Sequence, residues 1–326
     1  MTHPSESDIR RAVERLRGGG LVAFPTETVY GLGADALDAG AVARVFAVKG
    51  RPAENPLIVH VSGVEMARRV VSSWPGVAGM LAEVFWPGPL TMVLPRAACV
   101  PDEVTAGGAS VAVRVPDHDV AVALIESFGG PIVGPSANPS GYLSPTRAEH
   151  VCARFDDETV YVLDGGPCRT GLESTVVDLT SGMPRILRRG VIDASMIFEK
   201  TSVEVDEPEL PDEPEGAVVS PGVLGPHYQP DAPVELVTDI ARLSARLKAC
   251  TGRVVLLSPP GRSVRVQPPH EAINMPGLAS GYARRLYSAL HEADAKSPEL
   301  ILVVMPVLKD SPIWEAIRDR LRRAAG

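Results

Sequence analysis

The chain has 326 residues, of which 45% are hydrophobic and 22% charged, with a formal net charge of -8. That length suits one large or two ordinary domains with a sizeable core, and the composition is ordinary for a globular protein. The acidic balance argues against broad adhesion to nucleic acid or anionic membrane, while leaving room for a local basic pocket.

Ser5 with Asp8 marks a helix start, and Ile9, Val13 and Leu16 fall on one helical face. This opening stretch, Met1 to Arg17, has no signal-peptide apolar region. Gly18-Gly19-Gly20 stops the helix and Leu21–Phe24 reads as a short buried strand. A second helix is expected over Ala39–Val48, delivering Lys49 and Arg51 just past its C-terminal end. Strands are expected at Leu57–Val61, Thr91–Leu94, Val111–Val115, Pro131–Gly134, Val160–Leu163, Thr175–Leu179 and Arg185–Leu187. Helical patterns at Val120–Phe128 and Thr146–Phe155 separate some of them, which predicts an α/β domain with a mixed sheet over residues 1–203.

Glu204 to Glu215 is acidic and proline-rich, and residues 204–233 read as an interdomain linker. Regular signals return over 234–326: strand Val234–Val237, helix Ile240–Lys248, strand Val254–Leu257, helix Leu278–Ala293, strand Leu300–Met305 and helix Ile313–Ala324. This rhythm predicts a second, smaller Rossmann-like α/β domain. No stretch approaches the roughly 20 apolar residues of a membrane-spanning helix. Cys99, Cys152, Cys168 and Cys250 lie far apart without zinc or redox spacing, so reduced thiols in a cytoplasmic protein are expected.

Several motifs mislead. Gly31-Leu32-Gly33-Ala34-Asp35-Ala36 matches a dinucleotide fingerprint, but Pro25 to Tyr30 separate it from the preceding strand. Gly134-Pro135-Ser136-Ala137-Asn138 lacks the final glycine of a nucleophile elbow. His270-Glu271 and His291-Glu292 have no second histidine four residues on, and there is no Walker sequence.

Five segments carry more. Pro25-Thr26-Glu27-Thr28 follows a buried strand at the end where α/β proteins place ligand loops; it is equally a capped turn. Lys49-Gly50-Arg51 with Asn55 supplies a point charge, a planar fork and an amide suited to a triphosphate, or else a solvated helix end, with His60 in an apolar strand beyond. Arg114 alternates with apolar neighbours after Ser110 and needs an acidic partner, either a substrate carboxylate or a structural Asp or Glu. Ser136, Asn138 and Ser144 lie in a small-residue loop rich in hydroxyls and exposed amide N–H groups. Ser174 opens a strand and Arg188 ends the next one.

In this order and spacing the five segments resemble the YrdC-like threonylcarbamoyl-AMP synthase family over about Leu16 to Ile192. Ser220-Pro221-Gly222 to His227-Tyr228 and the ending Ala283 to Ala325 look like its long, two-domain type. The resemblance implies synthesis of L-threonylcarbamoyl-adenylate from L-threonine, bicarbonate and ATP, an intermediate in modifying tRNA adenosine. It implies that Thr28, His60, Arg114, Gly134 and Ser174 hold L-threonine. It implies ATP contacts from Arg51, Asn55, Ser110, Ser136, Ser144, Arg188 and Tyr228, with Lys49 and Asn138 completing the Lys-x-Arg and Ser-x-Asn pairs. Lys49 and Arg51 are the expected catalytic cations, with Mg2+ arriving on ATP and no protein metal site. Gly134 stands where alanine is commoner, a small change, and Arg189 stands where proline is usual, leaving a less rigid turn. Val223-Leu224-Gly225-Pro226 replaces a basic stretch of the linker.

A separate protein is expected to transfer the threonylcarbamoyl group to tRNA, and no stable nucleic-acid binding is expected of this chain. Two alternatives stand beside this reading. Carbamoyltransferases of hydrogenase maturation use the same fold, but carry acylphosphatase and zinc-finger regions ahead of it, whereas this chain starts directly with its YrdC-like part. An RNA-binding regulatory protein on this fold is the other, weakened by the acidity.

Overall fold

The computed structural model describes residues 4–207, 228–238, 240–306 and 311–326, with backbone alone at 240–242. The chain divides into two compact units. The first comprises Met1–Ser140, Pro145–Arg169 and Glu173–Leu224, and the second Gly141–Ser144, Thr170–Leu172 and Gly225–Gly326. Two short pieces of the N-terminal chain thus group with the C-terminal unit.

The first unit runs α1 (Glu6–Arg17), β1 (Leu21–Phe24), β2 (Gly31–Asp35), α2 (Ala39–Lys49), β3 (Ile58–His60), α3 (Val64–Val70), α4 (Gly76–Phe85) and β4 (Leu90–Pro95). It continues with α5 (Asp102–Thr105), β5 (Ser110–Arg114), α6 (Asp119–Phe128), β6 (Ile132–Val133), α7 (Ala148–Cys152), β7 (Val160–Val162), β8 (Thr175–Asp178), β9 (Arg185–Arg188) and α8 (Ala194–Thr201). Ser5 and Asp8 form a reciprocal capping box at α1, as their spacing predicts. Lys49 is the last residue of α2 rather than beyond it, and Gly50 closes the helix at φ 59°.

The nine strands form one mixed sheet in the order β7-β1-β2-β6-β3-β5-β4-β8-β9. Successive residues face opposite sides, and β1 shows both sides covered: Leu21 and Ala23 join the main core, Val22 and Phe24 a second cluster with α1 and α6. That two-sided burial explains the uninterrupted apolar run of β1. The main core also takes Val42 and Val45 from α2, Leu81 and Phe85 from α4, and Ile197 from α8. On the opposite face, Ile58, Val93, Ala112 and Val176 form a small apolar floor. Residues in step with that floor therefore leave the main core behind, and the polar residues of interest are among them.

The second unit contains β10 (Val234–Val237), α9 (Ile240–Ala249), β11 (Val254–Leu257), β12 (Glu271–Ile273), α10 (Ala279–Asp294), β13 (Leu300–Val304) and α11 (Pro312–Ala325). Its four strands, ordered β10-β13-β11-β12, are all parallel, as a Rossmann-like rhythm requires. Within this unit the Tyr142 hydroxyl donates to Asp294, which also accepts the Ala232 N–H at 2.9 Å. His291 Nε2 lies 3.2 Å from the Ser144 carbonyl oxygen. Tyr228 is buried, its ring 5.4 Å from Tyr287 and 5.8 Å from the Arg320 guanidinium. The linker's atypical Val223 to Pro226, with Ser220 to Gly222 and His227, lie outside the described residues.

Candidate functional site

Strand register assembles one end of the candidate site. His60 of β3 pairs with Arg114 of β5 on one side and with Ile132 of β6 on the other. Paired residues share a face, so His60 and Arg114 stand side by side; Gly134, two residues beyond Ile132, joins them. The Gly134 N–H donates to the Ile58 carbonyl at 2.9 Å, fixing that loop against β3.

Arg114 is buried and its fork is fully oriented. Nε donates to the Gly88 carbonyl at 3.1 Å, Nη1 to the Thr28 hydroxyl at 3.0 Å, and Nη2 lies 2.6 Å from Glu27 Oε2. The acidic partner that Arg114 requires is therefore Glu27, which sequence reasoning passed over within Thr-Glu-Thr. Nothing local in the sequence joins positions 27 and 114; only the sheet does. The turn that presents Glu27 is held by the Thr26 hydroxyl, which donates to the Val29 carbonyl at 2.6 Å and accepts the Thr28 and Val29 N–H groups.

His60 packs edge-on against Phe24, with centroids 5.4 Å apart. Burial, reinforced by the charge of Arg114, pushes its pKa down to about 3, so the imidazole is neutral at pH 7. The exchange of alanine for Gly134 is not the small change expected. A Cβ at 134 would sit 2.7 Å from His60 Nδ1 and 2.8 Å from Phe24 Cζ, too close for either ring to stay in place. Glycine is what lets both rings occupy this corner.

Ser174, just ahead of β8, is buried and shares a 2.7 Å hydrogen bond with the Thr91 hydroxyl of β4. Arg188 Nη2 donates to Ser174 Oγ at 3.0 Å and to its carbonyl at 2.9 Å. A register shift in the β8–β9 pair sets Arg188 opposite Val176, turning it onto the face of the apolar floor. Alternation alone would have placed Arg188 with Ile186 in the main core. Thr91 carries no motif, and its role emerges only from the pairing of β4 with β8.

The cation-rich part lies along the end of α2. Lys49 is buried, its ammonium donating to the carbonyls of Ser136, at 2.6 Å, and Asn138. Its own carbonyl accepts the Ser140 N–H at 2.7 Å. Burial, then the neighbouring Arg51, holds the Lys49 pKa well below the usual lysine range. Arg51 donates from Nε to the Asn55 carbonyl and from Nη2 to the Pro56 carbonyl, at 3.1 and 3.0 Å. The Asn55 side-chain oxygen is buried without a hydrogen bond among the described residues. Ser110 opens β5 opposite Pro95 of β4, in step with Ala112 and Arg114.

The Ser136–Ser140 loop differs from expectation. Its amides do not form an exposed nest: Ala137 N–H donates to Tyr30, Asn138 N–H to Ser136 and Ser140 N–H to Lys49. What the loop offers is side chains, Ser136 and Asn138, stapled in place by Lys49. Arg189, at the turn after β9, is 3.0 Å from Glu207 in an ion pair. Ser144 and Tyr228 belong to the second unit.

One sheet face thus carries a buried anion–cation pair, a neutral imidazole, Arg188 and the Thr91–Ser174 hydroxyls, and the end of α2 adds the anchored Lys49 and Arg51. Such groups suit a small zwitterion and a phosphate-bearing ligand, and with the mixed sheet they fit an α/β enzyme domain of the YrdC-like class. Residues 14–190 match the family model described as telomere recombination, which covers the Sua5, YciO and YrdC proteins. Residues 191–326 match that of the threonylcarbamoyl-AMP synthase C-terminal domain. The chain is 40% identical to the threonylcarbamoyl-AMP synthase of Pyrococcus abyssi, covering 98% of this chain and 95% of the relative. It is 37% identical to that of Bacillus subtilis, with 99% and 94% covered. A crystal structure of P. abyssi Sua5 complexed with L-threonine is similar at a TM-score of 0.89 and 39% identity, covering 99% of this chain and 95% of the other. The chain belongs to the threonylcarbamoyl-AMP synthase family, in its two-domain form.

Proposed function

We propose that this protein joins L-threonine, bicarbonate and ATP into L-threonylcarbamoyl-adenylate, releasing pyrophosphate, to supply N6-threonylcarbamoyladenosine modification of tRNA. The observation that carries the reading is the buried Arg114 fork, fixed by Gly88, Thr28 and Glu27 beside neutral His60. A preorganised guanidinium suits a planar carboxylate. A relative of the same two-domain form has been solved with L-threonine.

In this reading threonine binds as the ammonium, which gives up a proton to water; the resulting amine attacks the bicarbonate carbon, a C–N bond forms, water leaves, and a carbamate results. A carbamate oxygen then attacks the α-phosphorus, the bond from that phosphorus to the β-phosphate bridging oxygen breaks, and pyrophosphate departs with the electron pair. No covalent enzyme intermediate is needed, so positioning and charge stabilisation supply the catalysis. Arg114 holds the threonine carboxylate, while Thr28, His60 and Ser174 orient its hydroxyl and amine. Lys49, Arg51 and Arg188 face the phosphates, with Asn55, Ser110, Ser136 and Asn138 as polar contacts.

Mg2+ belongs on the triphosphate, where it offsets phosphate charge. The donors along Lys49–Asn55 and Ser136–Asn138 are cations, hydroxyls and amides, suited to phosphate oxygens. Among the described residues no group of three or more His, Cys, Asp or Glu is placed to cage a metal. A separate protein would carry the product to tRNA. The free thiols of all four cysteines suit the reducing cytoplasm, where we place the enzyme. The test is mass spectrometry of the product, omitting threonine, bicarbonate or ATP in turn. The threonylcarbamoyl-adenylate mass should require all three; its absence from the complete mixture overturns the proposal.

A further inference from the structure

Glu27 is 3% exposed, yet neither of its carboxylate oxygens makes a hydrogen bond among the described residues. Its contact with Arg114 Nη2 is ionic, 2.6 Å but not aligned as a hydrogen bond, and that nitrogen likewise has no hydrogen-bond acceptor there. A buried carboxylate with one such contact is an expensive arrangement. Its unused capacity points to a further partner carrying donors and positive charge.

The site supplies a reason. An α-amino acid carries an ammonium and a carboxylate on one carbon, so its receptor needs an anion and a cation side by side. Glu27 and Arg114 are such a pair, and Thr28 ties the turn bearing Glu27 to the same guanidinium. We infer that Glu27 receives the α-ammonium of L-threonine while Arg114 takes its α-carboxylate, making Glu27 a substrate-binding residue that selects amino acids over hydroxy acids. The inference rests on the proposed function and deepens it. It also separates two roles a buried acid could play: merely orienting Arg114, or touching substrate.

Calorimetric titration of the full chain distinguishes them, using L-threonine and (R)-3-hydroxybutyrate, its counterpart without the amine. Wild-type protein should bind the hydroxy acid about 10- to 100-fold more weakly than L-threonine, the scale of one charge-assisted hydrogen bond. Glu27→Gln should weaken L-threonine by a similar factor and leave the hydroxy acid within about threefold. Equal weakening of both ligands would mean that Glu27 acts only through Arg114, and overturns the inference. So does unchanged threonine binding in Glu27→Gln. The two-ligand comparison on wild-type protein needs no variant to fold, and equal affinities there overturn it as well. Failure of wild-type protein to bind L-threonine at all removes the functional reading and this inference together, whereas threonine binding indifferent to Glu27 removes the inference alone.

Discussion

Acidification should unfold this protein partly through His60. The imidazole is buried with its Nδ1 lacking a partner among the described residues, and its pKa is pushed down to about 3 by burial and then Arg114. The unfolded chain takes up a proton near pH 6.5, which the folded chain refuses until pH falls to about 3. Stability from this residue is therefore complete above pH ~6.5 and falls as pH drops through the window between those values. The slope is about 1.4 kcal/mol per pH unit, so about 2.5 kcal/mol is lost between pH ~7.5 and ~4.5. Urea denaturation of wild type and His60→Gln across that range isolates the effect, because His118 and His150, whose pKa values are also lowered by burial, remain in both proteins. The difference in unfolding free energy should narrow or reverse by about 2.5 kcal/mol in favour of the variant on acidification. Parallel pH curves would refute a neutral, desolvated His60.

Lys49→Met removes the donor to one buried and one half-buried carbonyl, up to about 1–3 kcal/mol each, but also a buried charge, so the two effects oppose. The melting transition should survive, while threonine-dependent pyrophosphate release falls at least ~100-fold; near wild-type release contradicts a catalytic role for the clamp. Gly134→Ala forces His60 and Phe24 outward by several tenths of an ångström. It should cost about 1–3 kcal/mol of stability by denaturation and raise the KM for threonine more than that for ATP, whereas unchanged values for both would show that the corner yields freely.

The sequence carried most of the fold where apolar runs were clear. β1, the α2 region, the β3 to β5 strands and the alternation of the second unit, apart from its short strand β12, were legible from periodicity. β2 was not, because Gly31-Leu32-Gly33-Ala34-Asp35 has no β-branched residue. Its glycines serve Phe24: a Cβ at Gly31 would come 2.8 Å from Phe24 Cζ. The segments at α3, α4 and α5 lack a side-chain cap, and they take their helical form from packing in the main core.

The site was legible in residue type and less so in partnership. Thr28, His60, Arg114 and Ser174 each stand out at a strand end or inside an apolar strand, but their neighbours are set by register. Glu27 meets Arg114, Thr91 meets Ser174, and a bulge delivers Arg188. None of these follows from spacing along the chain. Lys49 shows the same limit from the other side. Its charge was visible, but its use as a staple for the Ser136 and Asn138 carbonyls was not.

A crystal structure with L-threonine and a non-hydrolysable ATP analogue tests the proposed site of the first unit most directly. Density for the amino acid should appear with its carboxylate on the Arg114 fork beside His60, and for the phosphates near Lys49, Arg51 and Ser136. Ligands seated away from these groups, or an Arg114 still closed on Glu27 with threonine bound elsewhere, would contradict the account.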